Sequence, residues 1–167
     1  MHLFPDLAAE TTNFLSGDID VMLLVQQADY ERIASAPGVN AARVPSGRYV
    51  NVVMRFDQPP FDNLKVREAL AYSIDRQLLV DLVLEGLGRP GHDNILSPEF
   101  KFRIDTPEKA YDPAKAKALL AEAGYGDGFE TSITTRSGKY LSDVDIANVI
   151  AGMFLNVNVR AGVNVVE

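Results

Sequence analysis

Apolar positions along the chain repeat with two different periods, and the switches between them mark out the expected elements. Asp6 to Ser16 predicts a helix closed by Gly17, a residue that tolerates the left-handed turn ending many helices. Asp18-Ile-Asp20 leads into Val21-Met-Leu-Leu-Val25, a continuous apolar run expected as a strand covered on both faces. Ala28 to Ala36 predicts a short helix ended by Pro37-Gly38, and Val39 to Val44 a strand. Tyr49 to Phe56 predicts a further strand, supported by the β-branched Val50, Val52 and Val53.

Beyond the Pro59-Pro60 corner the helical period takes over. Asp62 or Asn63 can accept the free N–H groups of a helix start, with Val66, Ala69, Leu70, Ser73 and Ile74 on one face. Asp75-Arg76 reads as a break and restart, Asp75 capping a second helix whose stripe is Leu78, Leu79, Leu82 and Val83 and whose end is Gly86. A long loop from Gly86 to Lys109 carries Pro90, Pro98 and Pro107, and such loops are usually functional or covered by another part of the protein. Asp112-Pro113 then supplies a cap and a first-position proline for a helix with Ala116, Leu119, Leu120 and Ala123 on one side, ending at Gly124. Phe129, Thr131, Ile133 and Thr135 alternate as a half-buried strand. Ser142 and Asp145 have capping-box spacing for a helix through Phe154, and Val163 to Val166 predicts the last strand. The alternation of strands and helices places the chain in the α/β class.

Composition narrows the function. The 167 residues, 47% hydrophobic, suffice for a sizeable core. With 23 acidic against 16 basic residues the formal charge is -7, which repels phosphate backbones, so no nucleic-acid partner is expected. The absence of cysteine removes thiolate catalysis, disulfides and thiol-ligated zinc. No apolar run reaches about 18 residues. Met1-His-Leu-Phe-Pro5 lacks the basic start and apolar stretch of a signal peptide, so a soluble chain without an address is expected.

Several motifs touch chemistry without completing it. Gly86-Leu-Gly-Arg-Pro-Gly91 matches the spacing of a dinucleotide fingerprint, but it follows a helix and contains Pro90, so a helix-ending turn is expected. Asp18 and Asp20 lack the converging oxygens of a hard-metal site and are expected to form a solvated turn. His2 and His92 have no partner at ligand spacing. No serine sits in a nucleophile elbow with a histidine placed as its base. Catalytic residues, metal ligands and cofactors are therefore all expected to be absent. Arg136, Lys139 and Tyr140, in a polar loop between a strand and a helix, could contact an anionic or polar ligand at the helix start, with a plain solvated loop as the more ordinary expectation.

In combination, longer stretches carry a resemblance. The run from Pro59 to Pro90, PPFDNLKVREALAYSIDRQLLVDLVLEGLGRP, resembles the P-F-x-D/N-x-x-V-R-x-A-L-x-x-A-I-D-R pattern, and its continuation, of the extracytoplasmic solute-binding proteins of bacterial ABC importers, the peptide/nickel (oligopeptide/dipeptide) family 5. Further matches stand in the family's order: Ser16-Gly-Asp-Ile-Asp20 ahead of this run, similar to S-G-E/D-I-D, and Tyr111 to Gly124 after it, YDPAKAKALLAEAG, similar to Y-D-P-x-K-A-K-x-L-L-x-E-A-G. Gly138-Lys-Tyr-Leu141 resembles G-R-Y-L, and Gly162-Val-Asn-Val165 the G-I/V-x-V strand.

The resemblance implies a fragment of a periplasmic-binding-protein-like (type II) fold, a mixed sheet flanked by helices, with residues 1–58 as the end of a first lobe and the hinge strand and 59–167 as the beginning of a second lobe. It implies a receptor that binds a peptide, nickel complex or other small solute and hands it to ABC permease subunits. The full-length protein would be periplasmic or membrane-anchored, meeting the membrane only through the permease or a lipid anchor. The ligand-contact positions it implies are Asn51, Val53 and Arg55 on the hinge strand and Arg136 and Tyr140 in the later loop. Arg55 stands where the family usually has Asn, and residues 154–161 are longer and more strand-like than the family's helix-to-strand link. Two other readings stand beside it: an enzyme domain binding a phosphate-containing ligand, which needs a helix starting after Gly91, and an interaction domain without a small ligand. The receptor reading expects irregular loop after Gly91 and a helix from Ala114.

Overall fold

The computed structural model describes residues 3–44, 47–91, 93, 94, 96, 100–102, 104, 106–137 and 142–166. The chain divides into two compact units, Met1–Pro45 and Ser46–Glu167.

The first unit holds α1 (Leu7–Ser16) and α2 (Gln27–Ala34). The Asp6 carboxylate accepts from the Ala9 N–H at 2.8 Å, and Gly17, with φ 84°, closes the other end of α1. Thr11 and Ile33 are buried. Residues 21–25 and 39–44 form no strand: they run without ladder partners, and Val21, Leu23 and Leu24 are exposed. An apolar run predicts a strand only if another strand is present to take its N–H and C=O groups, and among the described residues of this unit none is.

The second unit is built from α3 (Leu64–Tyr72), α4 (Arg76–Val83), α5 (Pro113–Glu122), β1 (Phe129–Arg136), α6 (Asp143–Leu155) and β2 (Val159–Val166). Three of its helices begin where the side-chain oxygen of an Asn or Asp accepts from a free N–H: Asn63 from Lys65, Asp75 from Leu78 and Asp112 from Lys115. Val66, Ala69 and Leu70 of α3 face Ala116 and Leu120 of α5, and this pair joins Ile146, Ile150 and Phe154 of α6 and Val157 and Val159 in one core. The Asp112 N–H donates to the Tyr72 carbonyl at 2.8 Å, tying the start of α5 to the end of α3. Ahead of α3, beyond a cis Pro59-Pro60 peptide, Phe61 packs edge-on to Phe129 with centroids 6.0 Å apart.

β1 and β2 are parallel, paired from Phe129 opposite Val159 to Arg136 opposite Val166, and α6 is the crossover between them. Alternation along β1 is as expected, the odd-numbered residues facing α6 and the core. β2 begins earlier than Val163 because Val157 and Val159 belong to the core and α6 ends in a tight turn over Asn156–Asn158.

Three further expectations are corrected. Tyr49 to Phe56 is not a strand: no described residue pairs with it, and Phe56 already enters the turn in which the Gln58 N–H donates to the Arg55 carbonyl. The buried residue of α4 is Val80, while Leu78 and Leu82 are exposed and only Leu79 and Val83 reach the core, because an eight-residue helix lying on one neighbour buries a narrow stripe. The Ser142–Asp145 capping box does not form: Ser142 is left-handed, φ 53°, and its side chain makes no capping bond, while Asp143 Oδ1 accepts from the Val144 N–H at 3.0 Å. Within the described part of 86–109 there is no helix or strand, and the next helix starts at Pro113.

Candidate functional site

Two groups of candidate residues occupy different places in the second unit. Asn51, Val53 and Arg55 lie on the irregular segment before the diproline corner. Met54 packs against the core and so fixes which face turns outward; Val53 is 80% exposed, and Asn51 and Arg55 are exposed with it. Arg55 does not project alone: its Nη2 lies 2.9 Å from Asp57 Oδ2 and its Nε 3.4 Å from Oδ1, with the two side chains 69% and 57% exposed. The hydrogen bond from Arg55 holds the Asp57 carboxyl below the usual carboxylate range, and the same bond raises the guanidinium further above its own. Any acidic solute group meeting Arg55 competes with Asp57.

Arg136 is the last residue of β1, exposed, and next to it the Ser137 N–H donates to the Val166 carbonyl at 3.2 Å. The carboxyl ends of both parallel strands therefore meet the amino end of α6, where Thr135 Oγ1 reaches the Asp143 carbonyl at 3.5 Å. Ligands of open parallel sheets bind beyond the carboxyl ends of the strands. Tyr140 and Lys139, expected in the loop between Arg136 and α6, lie outside the described residues, as do His2 and His92.

Sequence reasoning assigned Asp145 to a cap and passed over Asp143. Both carboxylates stand in the first turn of α6, and Asp143 Oδ2 is buried without a hydrogen-bond partner among the described residues. The available signal was the acidic S-D-x-D run directly after a polar loop. Arg136 and these carboxylates give the end of the sheet charges of both signs. No hydrogen bond or ion pair among the described residues joins Arg136 to Asn51 or Arg55.

The remaining motifs resolve as turns. Gly86, φ 74°, ends the α4 region with its N–H on the Val80 carbonyl at 3.1 Å, and no described residue from Gly91 to Asp112 is helical. The glycine run thus has no helix amino end at which to hold a phosphate. Ser16 Oγ donates to Asp18 Oδ2 at 2.7 Å, and Asp18 and Asp20 border an open cavity of about 310 Å³ with Phe4, Glu10, Ile19 and Val21. Among the described residues, no three His, Asp or Glu converge as a metal site.

The family model described as "Bacterial extracellular solute-binding proteins, family 5 Middle" matches residues 1–167. Heme-binding protein A of Haemophilus influenzae is 31% identical over 129 residues, 77% of this chain and 24% of that protein. Glutathione-binding protein GsiB of Salmonella choleraesuis is 45% identical over 86 residues, 52% of this chain and 16% of that protein. Among solved structures, the oligopeptide-binding protein AppA of Bacillus subtilis, in complex with a nonapeptide, superposes with a TM-score of 0.77 at 26% identity over 99% of this chain and 35% of that one. The chain thus spans a quarter or less of these curated relatives and about a third of the solved one.

Proposed function

The chain belongs to family 5 of the bacterial extracellular solute-binding proteins, and from that premise we propose that it is part of the solute-binding component of a bacterial ABC importer. In this reading the full-length protein binds peptides, nickel complexes or related small solutes outside the cytoplasm and delivers them to a membrane permease. The family match over all 167 residues carries the proposal. The relatives named for heme and glutathione, and the structural neighbour holding a nonapeptide, support a small solute without choosing one.

The protein contributes binding and no catalysis of its own. The enzyme reading needed a helix after Gly91, and the described residues there are irregular up to α5. Residues 1–58 are assigned to the end of the first lobe and the hinge segment, and 59–167 to the start of the second. Asn51, Val53, Arg55, Arg136 and Tyr140 are the proposed solute contacts. A guanidinium at Arg136 with carboxylates at Asp143 and Asp145 suits a solute that carries both charges, as a peptide does. Solute then acts by selecting a closed arrangement of the lobes that the permease recognises.

The test is to purify the full-length protein, identify co-purifying small molecules by mass spectrometry, and titrate dipeptides, glutathione and heme by calorimetry. Arg136→Ala is expected to weaken the best solute about tenfold or more, or about 1.4 kcal/mol, with an unchanged unfolding midpoint. Failure of dipeptides, glutathione and heme alike to bind, with no small molecule co-purifying, would remove the proposal.

A further inference from the structure

Arg76 has a task beyond the first turn of α4. Its Nη2 donates to Asp93 Oδ1 at 2.6 Å and its Nη1 to the Lys109 carbonyl at 2.8 Å, and Asp93 Oδ2 accepts from the Lys109 backbone N–H at 2.9 Å. Three residues close a ring of hydrogen bonds across the long connection between α4 and α5. The Arg76 and Asp93 side chains are only 21% and 24% exposed, so this charged pair is shielded more than the Arg55–Asp57 and Lys65–Glu122 pairs. Inside the ring, the Asn94 side-chain amide donates to the Ile104 carbonyl and Asn94 Oδ1 accepts from the Leu96 N–H.

Among the described residues, the connection approaches the start of the candidate binding segment at Phe100. Phe100 lies over Gly47: a β-carbon on Gly47 would stand 2.5 Å from Phe100 Cε2 and 2.8 Å from Cζ. With the ring in this position the site has no room for a β-carbon, and Gly47 leads directly into the segment that carries Asn51, Val53 and Arg55.

We propose that Arg76 is a positioning residue: the ring it forms with Asp93 and Lys109 sets the connection so that Phe100 seats on Gly47 and fixes the direction in which the binding segment leaves it. The consequence for solute rests on the binding reading above; the seating of Phe100 does not. A bond that served only the stability of α4 would affect all parts of the unit alike, whereas a positioning bond acts selectively on Gly47 and the residues after it.

The test follows the ring-current shift of Phe100 on the Gly47 α-protons by NMR in the 167-residue chain, together with the amide resonances of residues 48–55. Phe100→Leu is expected to abolish the Gly47 shift. Arg76→Met and Asp93→Asn are each expected to move Gly47 toward its unshifted position and to perturb 48–55, leaving the resonances of α5 and β1 in place. An unchanged Gly47 shift in both clasp variants overturns the proposal, and so does a shift lost together with those of α5 and β1. If Arg76→Met does not fold, Asp93→Asn decides, because it keeps the side-chain shape and the Arg76 bond to the Lys109 carbonyl. Loss of the Gly47 shift in a full-length protein whose solute affinity is unaltered by substitutions at Asn51 and Arg55 would refute the solute contacts and leave the clasp standing.

Discussion

Gly128 lies so close to Asn158 that a β-carbon on the glycine would overlap the asparagine's backbone carbonyl. The two residues immediately precede the paired strands, and both have positive φ, 83° at Gly128 and 66° at Asn158. Gly124 has almost the same conformation, φ 85°, with open space where a β-carbon would stand. The two sites separate conformational strain from steric overlap. Gly124→Ala should cost about 1–2 kcal/mol from the left-handed backbone alone. Gly128→Ala should cost at least about 2 kcal/mol more than that, since the neighbour is main chain and cannot rotate aside. Urea unfolding of both variants measures the difference, and equal costs would show that the strands shift apart freely.

Leu70 and Leu82 look equivalent in sequence, each on a predicted apolar stripe. In the structure Leu70 is 1% exposed at the centre of the core and Leu82 is 61% exposed. Leu70→Ala is expected to lose about 2–5 kcal/mol through lost transfer energy and the cavity left behind. Leu82→Ala should stay within about 0.5 kcal/mol of the parent. Thermal unfolding of the pair decides; a large loss at Leu82 would mean that α4 is covered in solution.

The difference between those leucines shows what the sequence could tell. Elements held together by local chemistry were legible: the caps at Asp75 and Asp112, the glycine stop after α1 and the alternation of β1 all follow from neighbours within a few residues. Elements that depend on a distant partner were not. Val21–Val25 and Tyr49–Phe56 have strand composition, but a strand exists only where a second one accepts its hydrogen bonds, and periodicity cannot supply that. The candidate site falls with the second group. Arg136, expected in the polar loop, is instead the last residue of β1 opposite Val166, and its strand pairing, like the pairing of Arg55 with Asp57 and the burial of Asp143 Oδ2, depends on three-dimensional geometry.

Lys115 makes a prediction about pH. Its Nζ lies 2.8 Å from the Tyr72 hydroxyl and 4.0 Å from the centre of that ring, and the hydrogen bond to Tyr72 is the main cause that raises its pKa, with Asp112 and Glu68 adding attraction. A folded value above the unfolded one means that the ammonium's contribution is complete below the ordinary lysine range and fades as pH rises through the folded value. Tyr72→Phe keeps the ring and removes the hydroxyl, so the Lys115 Nζ titration followed by NMR should fall back toward ordinary lysine. An unchanged titration would assign the shift to the ring and the carboxylates instead.

Arg55 and Asp57 make a prediction about affinity. Because Asp57 already occupies the Nε and one Nη2 donor of the guanidinium, a solute carboxylate that engages that edge must displace it, and the pair acts as a competitor built into the segment. The folded carboxyl lies below its unfolded value, so the pair contributes above the ordinary carboxylate range and is lost as pH falls through the folded value. Both side chains are exposed, which keeps that contribution to folding small and leaves affinity as the informative measurement. In the full-length protein, Asp57→Asn should strengthen binding of an acidic solute severalfold, Arg55→Ala should weaken it, and the double variant should match Arg55→Ala, because without the guanidinium there is nothing for Asp57 to block. Calorimetry on the four proteins completes the cycle. A gain from Asp57→Asn that persists without Arg55 would place the effect on the general negative charge of the chain rather than on this pair. No change in any of the variants would remove Arg55 from the solute contacts and leave Arg136 as the guanidinium to test.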